Sequence, residues 1–166
     1  MTSTVSLQRL AADDWQAYRE IRLAALADSP RMFGSDLARE QAFDEPAWRQ
    51  RTSGMTVAQY NGGVVGVTGW YWTDRPRVAD LVAMWVAPAG RGKGVGVALV
   101  RDVVDQVVTE RGAVLELGVL VDNGVATALY EREGFVDIGR EVGIRSGDLL
   151  RRMRYVPGGT GEQETA

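Results

Sequence analysis

The chain has 166 residues, 45% of them hydrophobic and 25% charged, and a formal net charge of −3. That length suits one domain with a substantial core, and the acidic balance argues against nonspecific nucleic-acid binding while being compatible with a cationic amine as substrate. Cysteine and histidine are both absent, which removes thiol nucleophiles, disulfides, zinc sites and the commonest general base, so catalysis would have to use carboxylates, tyrosine, water or the backbone.

No apolar run approaches the roughly 20 residues that cross a bilayer. Met1-Thr2-Ser3-Thr4 has no charged segment leading into an apolar stretch, so a cytoplasmic protein without anchor or signal peptide is expected. In chain order, Val5 to Leu10 reads as a short strand. Asp13 then caps a helix whose apolar members Trp15, Tyr18, Ile21, Leu23, Ala25 and Leu26 recur near helical spacing. Pro30 stops it, and Ser35 to Arg51 reads as one or two short helices around Pro46 that would cover a substrate site. Val57 to Tyr60 and Val64 to Trp72, joined by Asn61-Gly62-Gly63, form a hairpin. Within it Trp70, Tyr71 and Trp72 are read as core rather than as a ligand-stacking surface, as is Trp85 further on.

Val78 to Val86 is apolar apart from Asp80, as expected of an interior strand. It runs into a glycine-rich, doubly basic turn and a helix from about Gly94 to Arg111, with Val100, Val103, Val104, Val107 and Val108 inward and Asp102, Asp105 and Gln106 outward. Gly112 closes the helix and Val114 to Val121 follows as a strand, giving a βαβ unit with a parallel pair. Asn123 caps a further helix ending at Gly134. Phe135 to Arg140 and Leu149 to Val156 supply closing strands. One domain is expected over 1–156, with a disordered tail at 157–166.

The turn, Arg91-Gly92-Lys93-Gly94-Val95-Gly96, is where a phosphate chain would sit. A helix start offers unpaired N–H groups and a positive dipole end, and the glycines let an anion approach the backbone. The dinucleotide fingerprint fails because valine stands at 95 and 97 where the third glycine is needed. The nucleoside-triphosphate loop fails because Lys93 precedes Gly94 rather than Ser or Thr. The remaining pattern, Arg91-x-x-Gly94-x-Gly96, resembles the pyrophosphate loop of the acetyl-coenzyme A-dependent N-acetyltransferases of the GNAT superfamily. A second stretch, Asn123-x-x-Ala126-x-x-Leu129-Tyr130-Glu131-x-x-Gly134-Phe135, resembles their second cofactor-side motif, with 123, 126 and 130 on one helical face.

The resemblance covers roughly Leu81 to Phe135. It implies a mixed α/β fold: a central, mostly antiparallel sheet with one splayed parallel strand pair, flanked by helices. It also implies acetyl-coenzyme A as co-substrate, no metal, and direct acetyl transfer to a primary amine. Cofactor contacts would come from Met84, Trp85, Val86, Arg91, Gly92, Lys93, Gly94, Val95, Gly96, Asn123, Ala126 and Tyr130. A strand bulge near Met84 and Trp85 would free an N–H for the thioester carbonyl.

Tyr130 would protonate the departing thiolate, since a phenol with a pKa near 10 holds its proton at neutral pH; packing alone also accounts for a tyrosine there, as capping does for Asn123. Asp80 and Glu116 compete as the general base, each among apolar neighbours, with ordered waters or pairing of Asp80 to Arg75 or Arg77 as alternatives. Phe33 to Trp48, Trp70 to Asp74 and Glu141 to Asp148 are the expected acceptor contacts. The acceptor itself, whether small metabolite, antibiotic amine, protein terminus or lysine, stays open, as do the acyl chain and a homodimer. No membrane or nucleic-acid partner is expected. A noncatalytic acyl-coenzyme A sensor or interaction module is the alternative.

Overall fold

The computed structural model describes residues 4–158. The chain forms seven strands: β1 (Ser6–Arg9), β2 (Met55–Tyr60), β3 (Gly63–Trp72), β4 (Val78–Val86), β5 (Val114–Leu120), β6 (Phe135–Val142) and β7 (Leu149–Tyr155). They form one sheet in the order β1-β2-β3-β4-β5-β7-β6, antiparallel throughout except for the parallel pair β4 and β5. The expected mixed fold with a single parallel pair is therefore present. The expected tail lies outside the described residues apart from the turn at Pro157 and Gly158.

The helices are α1 (Trp15–Asp28), α2 (Leu37–Gln41), α3 (Glu45–Thr52), α4 (Val95–Val104) and α5 (Gly124–Arg132). Carboxylates start the short ones: Asp36 accepts from the Arg39 N–H at 2.8 Å and Asp44 from the Ala47 N–H at 3.0 Å, each satisfying a donor that the first turn leaves unpaired. At α1 the Asp14 carboxylate, rather than that of Asp13, bonds back to the Ala11 N–H at 2.8 Å.

The sheet separates two cores. On one face α1 and α3 bring Tyr18, Ile21, Ala25 and Trp48 onto Val57, Val67 and Trp85. On the other, α4, the turn that continues it and α5 bring Val100, Val103, Val107 and Tyr130 onto Leu115, Leu117, Phe135 and Met153. The long helix expected to Arg111 is regular only to Val104 and continues as a π-helical turn, Asp105–Thr109. Gln106, expected outward, is buried there; it accepts from Trp70 Nε1 at 3.1 Å and donates to Asp102 at 2.7 Å. The widened turn carries a polar side chain inward without leaving it unpaired.

Candidate active site

A bulge builds the site. Val67 pairs with Trp85 and Gly69 with Val82, so two β4 residues, Ala83 and Met84, oppose Thr68 alone. Ala83 takes φ 59°, which costs a non-glycine residue about 1–2 kcal/mol, and Thr68 Oγ1 donates to the Val82 carbonyl at 3.0 Å. One extra residue inverts the strand's alternation. Ala79 and Leu81 face α4, yet beyond the bulge Trp85 faces α1 while Met84 and Val86 face α4.

The same bulge parts the parallel strands. Their pairing stops at Leu81 and Leu117; past it β5 pairs only with β7, and β4 has a free edge from Val82 to Val86. The Ala87 N–H bonds the Val65 carbonyl at 2.7 Å, so by strand alternation the Val86 N–H points to the opened side. A cavity of about 550 Å³ occupies the opening. Val82, Ala83 and Met84 line one wall and Gly118 to Leu120 the other. Asn123, with Ala126 and Tyr130 of the helix α5 that it caps, lines a third side, while α1, α2 and the β6–β7 loop close the far end.

Tyr130 is buried against Phe135, ring centroids 5.7 Å apart, and burial pushes its pKa above that of an ordinary phenol. Its hydroxyl reaches the cavity and has no hydrogen-bond partner among the described residues. Asn123 caps α5 through the Ala126 N–H at 3.2 Å and still lines the cavity. Asp80 also lines it, with its carboxylate held by Arg152 at 2.7 and 3.3 Å. The partners weighed from sequence, Arg75 and Arg77, are engaged elsewhere: Arg75 binds Glu116, and Arg77 caps carbonyls at Arg111 and Gly112.

Glu116 sits apart from the cavity. It is 1% exposed and ion-paired to Arg75, Arg154 at 2.8 Å and Arg152 at 3.3 Å. Burial alone would raise its pKa, but the hydrogen bonds from Arg75, Arg154 and Arg152 lower it to about 2. A carboxylate held this firmly in its charged form is a poor proton acceptor at neutral pH, which argues against Glu116 as the base. Tyr71 and Trp72, read as core, are exposed instead, and Tyr71 lines the cavity. The sequence reading missed Arg152 and the Arg22–Glu40 pair at 2.9 Å. The available signal was three arginines, Arg151, Arg152 and Arg154, in a seven-residue strand.

Beyond β4 the chain turns through Pro88–Gly90 to the start of α4. A Cβ on Gly90 would lie 2.9 Å from Val65 Cβ, so the turn packs tightly on β3. Gly92 and Gly94 hold φ 72° and 79°, and no side chain caps the first turn of α4. Arg91 Nε donates to the Val86 carbonyl at 3.1 Å while its Nη2 reaches Asp28 at 3.1 Å, the same oxygen that takes Trp85 Nε1 at 3.0 Å. Lys93 is exposed. Among the described residues no helix is long and apolar enough to cross a membrane, and no cluster of acidic groups could hold a metal ion.

Residues 9–135 match the Acetyltransferase (GNAT) family, and the chain belongs to it. Mycothiol acetyltransferase of Renibacterium salmoninarum is 24% identical over 143 residues, 81% of this chain and 41% of its own length. The chain spans from 41% to 62% of the length of such curated relatives. The yncA protein of Salmonella typhimurium, solved with its cofactor acetyl-CoA, has a TM-score of 0.73 at 19% identity over 98% of both chains. A GCN5-related N-acetyltransferase from Kribbella flavida has a TM-score of 0.65 at 28% identity, covering 90% of this chain and 96% of that one. The residues present fit such a cofactor: a parted strand pair, an uncapped helix start behind left-handed glycines, and an unpartnered phenol in the cavity between them.

Proposed function

We propose that the protein is an N-acetyltransferase that transfers the acetyl group of acetyl-CoA to a primary amine by direct attack in a ternary complex. The observation that carries this reading is the unpartnered Tyr130 hydroxyl in a cavity bounded by the free edge of β4. The cofactor, when bound, supplies the activated acetyl group. The N–H groups of α4's first turn, with Arg91 and Lys93, would hold its phosphates, and the arm would lie along β4 beside Asn123 and Ala126. The Met84 and Val86 N–H groups would polarise the thioester carbonyl, the part of the chemistry where fixed donors contribute most.

Producing a neutral amine from an alkylammonium at pH 7 costs roughly 4 kcal/mol. Asp80 lines the cavity and is held by Arg152 alone, where Glu116 is outside it and held by three arginines, so Asp80 is the carboxylate to take that proton, through a water because its side chain is short. Tyr130 gives its own proton to the departing sulfur; burial raises its pKa, so it holds that proton at neutral pH.

Thiol release from acetyl-CoA tests the reading, and the absence of cysteine leaves no background from the protein. Tyr130→Phe is expected to lower kcat by about 100-fold or more while the acetyl-CoA Kd moves by less than about threefold. An unchanged kcat would remove Tyr130 from the mechanism. Silence with every amine, with acetyl-CoA still bound, would favour the noncatalytic sensor.

A further inference from the structure

The cavity's far end is positively charged. Six arginines line it, Arg22, Arg31, Arg39, Arg51, Arg145 and Arg152, against three carboxylates, Glu40, Asp80 and Glu141. The carboxylates are already engaged: Glu40 by Arg22 at 2.9 Å, Asp80 by Arg152 at 2.7 Å, and Glu141 by Arg152 at 3.6 Å. Arg31 is paired with Asp122 at 2.8 Å. Arg39, Arg51 and Arg145 have no carboxylate within salt-bridge distance among the described residues. Arg51 and Arg39 instead share the Phe43 ring, with guanidinium carbons 4.3 and 5.6 Å from its centroid, and Arg39 gives one of its donors to Ser35 Oγ at 3.4 Å. An aromatic face holds a guanidinium in place without neutralising it and leaves its edge donors free for a planar anion.

We infer that the acceptor is an amine that also carries an anionic group, a carboxylate or a phosphate, held by Arg51 with Arg39 and Arg145 while its nitrogen faces the opened edge of β4. This rests on the acetyltransferase reading above and specifies its acceptor. A polycationic amine finds the lining carboxylates already held by arginines and meets a surplus of positive charge from three arginines without a carboxylate partner. The same surplus disfavours the ammonium form of the acceptor, which eases formation of the nucleophilic amine in a chain that has no histidine. The sequence expectation of a cationic acceptor, drawn from the net charge of the whole chain, is thus opposed by the local charge.

The experiment measures binding by calorimetry, with acetyl-CoA absent, of the common L-amino acids each against its carboxamide, of O-phosphoethanolamine against ethanolamine, and of spermidine. At least one anionic member is expected to bind about tenfold or more tighter than its neutral partner; the pair that responds separates carboxylate from phosphate. Arg51→Gln with Arg145→Gln, both exposed and outside the core, is expected to reduce that preference to below about threefold. Arg51→Lys should restore only part of it, because an ammonium cannot make the two-pronged contact. Equal binding within every pair, binding of no anionic member, a preference for spermidine, or a preference that survives the double substitution would overturn the inference. Thiol release is read separately on the same pairs. Charge-dependent binding without release from any of them would sink the transferase reading, and with it the acceptor role, while leaving the arginines as a site for anionic amines.

Discussion

Glu116 holds a full negative charge where only 1% of its side chain meets water, and the arginines around it determine what that charge does. With a pKa of 4.5 for an ordinary glutamate and about 2 in the fold, it contributes about 3 kcal/mol at neutral pH. That figure is an upper one, because Arg75 and Arg154 are 50% and 45% exposed and screened by solvent. A depressed carboxyl stabilises fully above its unfolded pKa, and the contribution fades as pH falls from about 4.5 to 2. Denaturant unfolding across that window should therefore show Glu116→Gln to be much less stable than wild type at pH 7 and nearly equal to it by pH 2. A constant difference would mean that Glu116 acts by packing alone. From the sequence, Leu115 and Leu117 made Glu116 look like a desolvated base. Neighbours along a strand point to the opposite face, however. The residues that set its chemistry, Arg152 and Arg154, lie across the sheet and 36 and 38 positions away, beyond what local pattern reports.

At the level of elements, local pattern read well wherever one signal governed. The apolar run of β4 appears from Val78 to Val86 as expected, and Asn123 caps α5. The π-helical turn stayed hidden because the valine spacing continues unbroken through it, while the hydrogen bond from Trp70 that Gln106 accepts there is a tertiary contact. The seat of α4 is likewise invisible in sequence. A Cβ on Gly66 of β3 would lie 2.8 Å from Val95 Cγ1 and 3.0 Å from Leu99 Cδ1, so the missing side chain lets α4 approach the sheet. Gly66→Ala should destabilise by about 1–3 kcal/mol through overpacking, seen as a lower denaturation midpoint at unchanged slope. It should also weaken acetyl-CoA binding, because lifting Val95 displaces the helix start proposed to hold the phosphates. A destabilised variant with full affinity would uncouple that seat from the cofactor loop.

For the molecule as a whole, strand order and charge distribution were the least legible features. Insertion of β7 between β5 and β6 brings Arg152 beside Asp80, 72 residues earlier, and no periodicity encodes that return. Net charge misled for a related reason: a sum of −3 over 166 residues is silent on where folding places each sign. Six arginines line the cavity, and Arg91 and Lys93 stand at the other end of the β4 edge. An acidic protein thus presents local positive charge to anions, and the long-range attraction it exerts depends on ionic strength. Raising salt from 0.1 to 1 M shortens the screening length from about 10 to 3 Å. The KM for acetyl-CoA should then rise several-fold with kcat nearly constant, because screening weakens binding of the charged groups without touching the acetyl-transfer step. Arg91→Gln should flatten that salt dependence if the guanidinium holds phosphate directly. If the slope persists in the variant, the attraction belongs to the other positive groups, and the backbone N–H groups at the start of α4 hold the phosphates without Arg91.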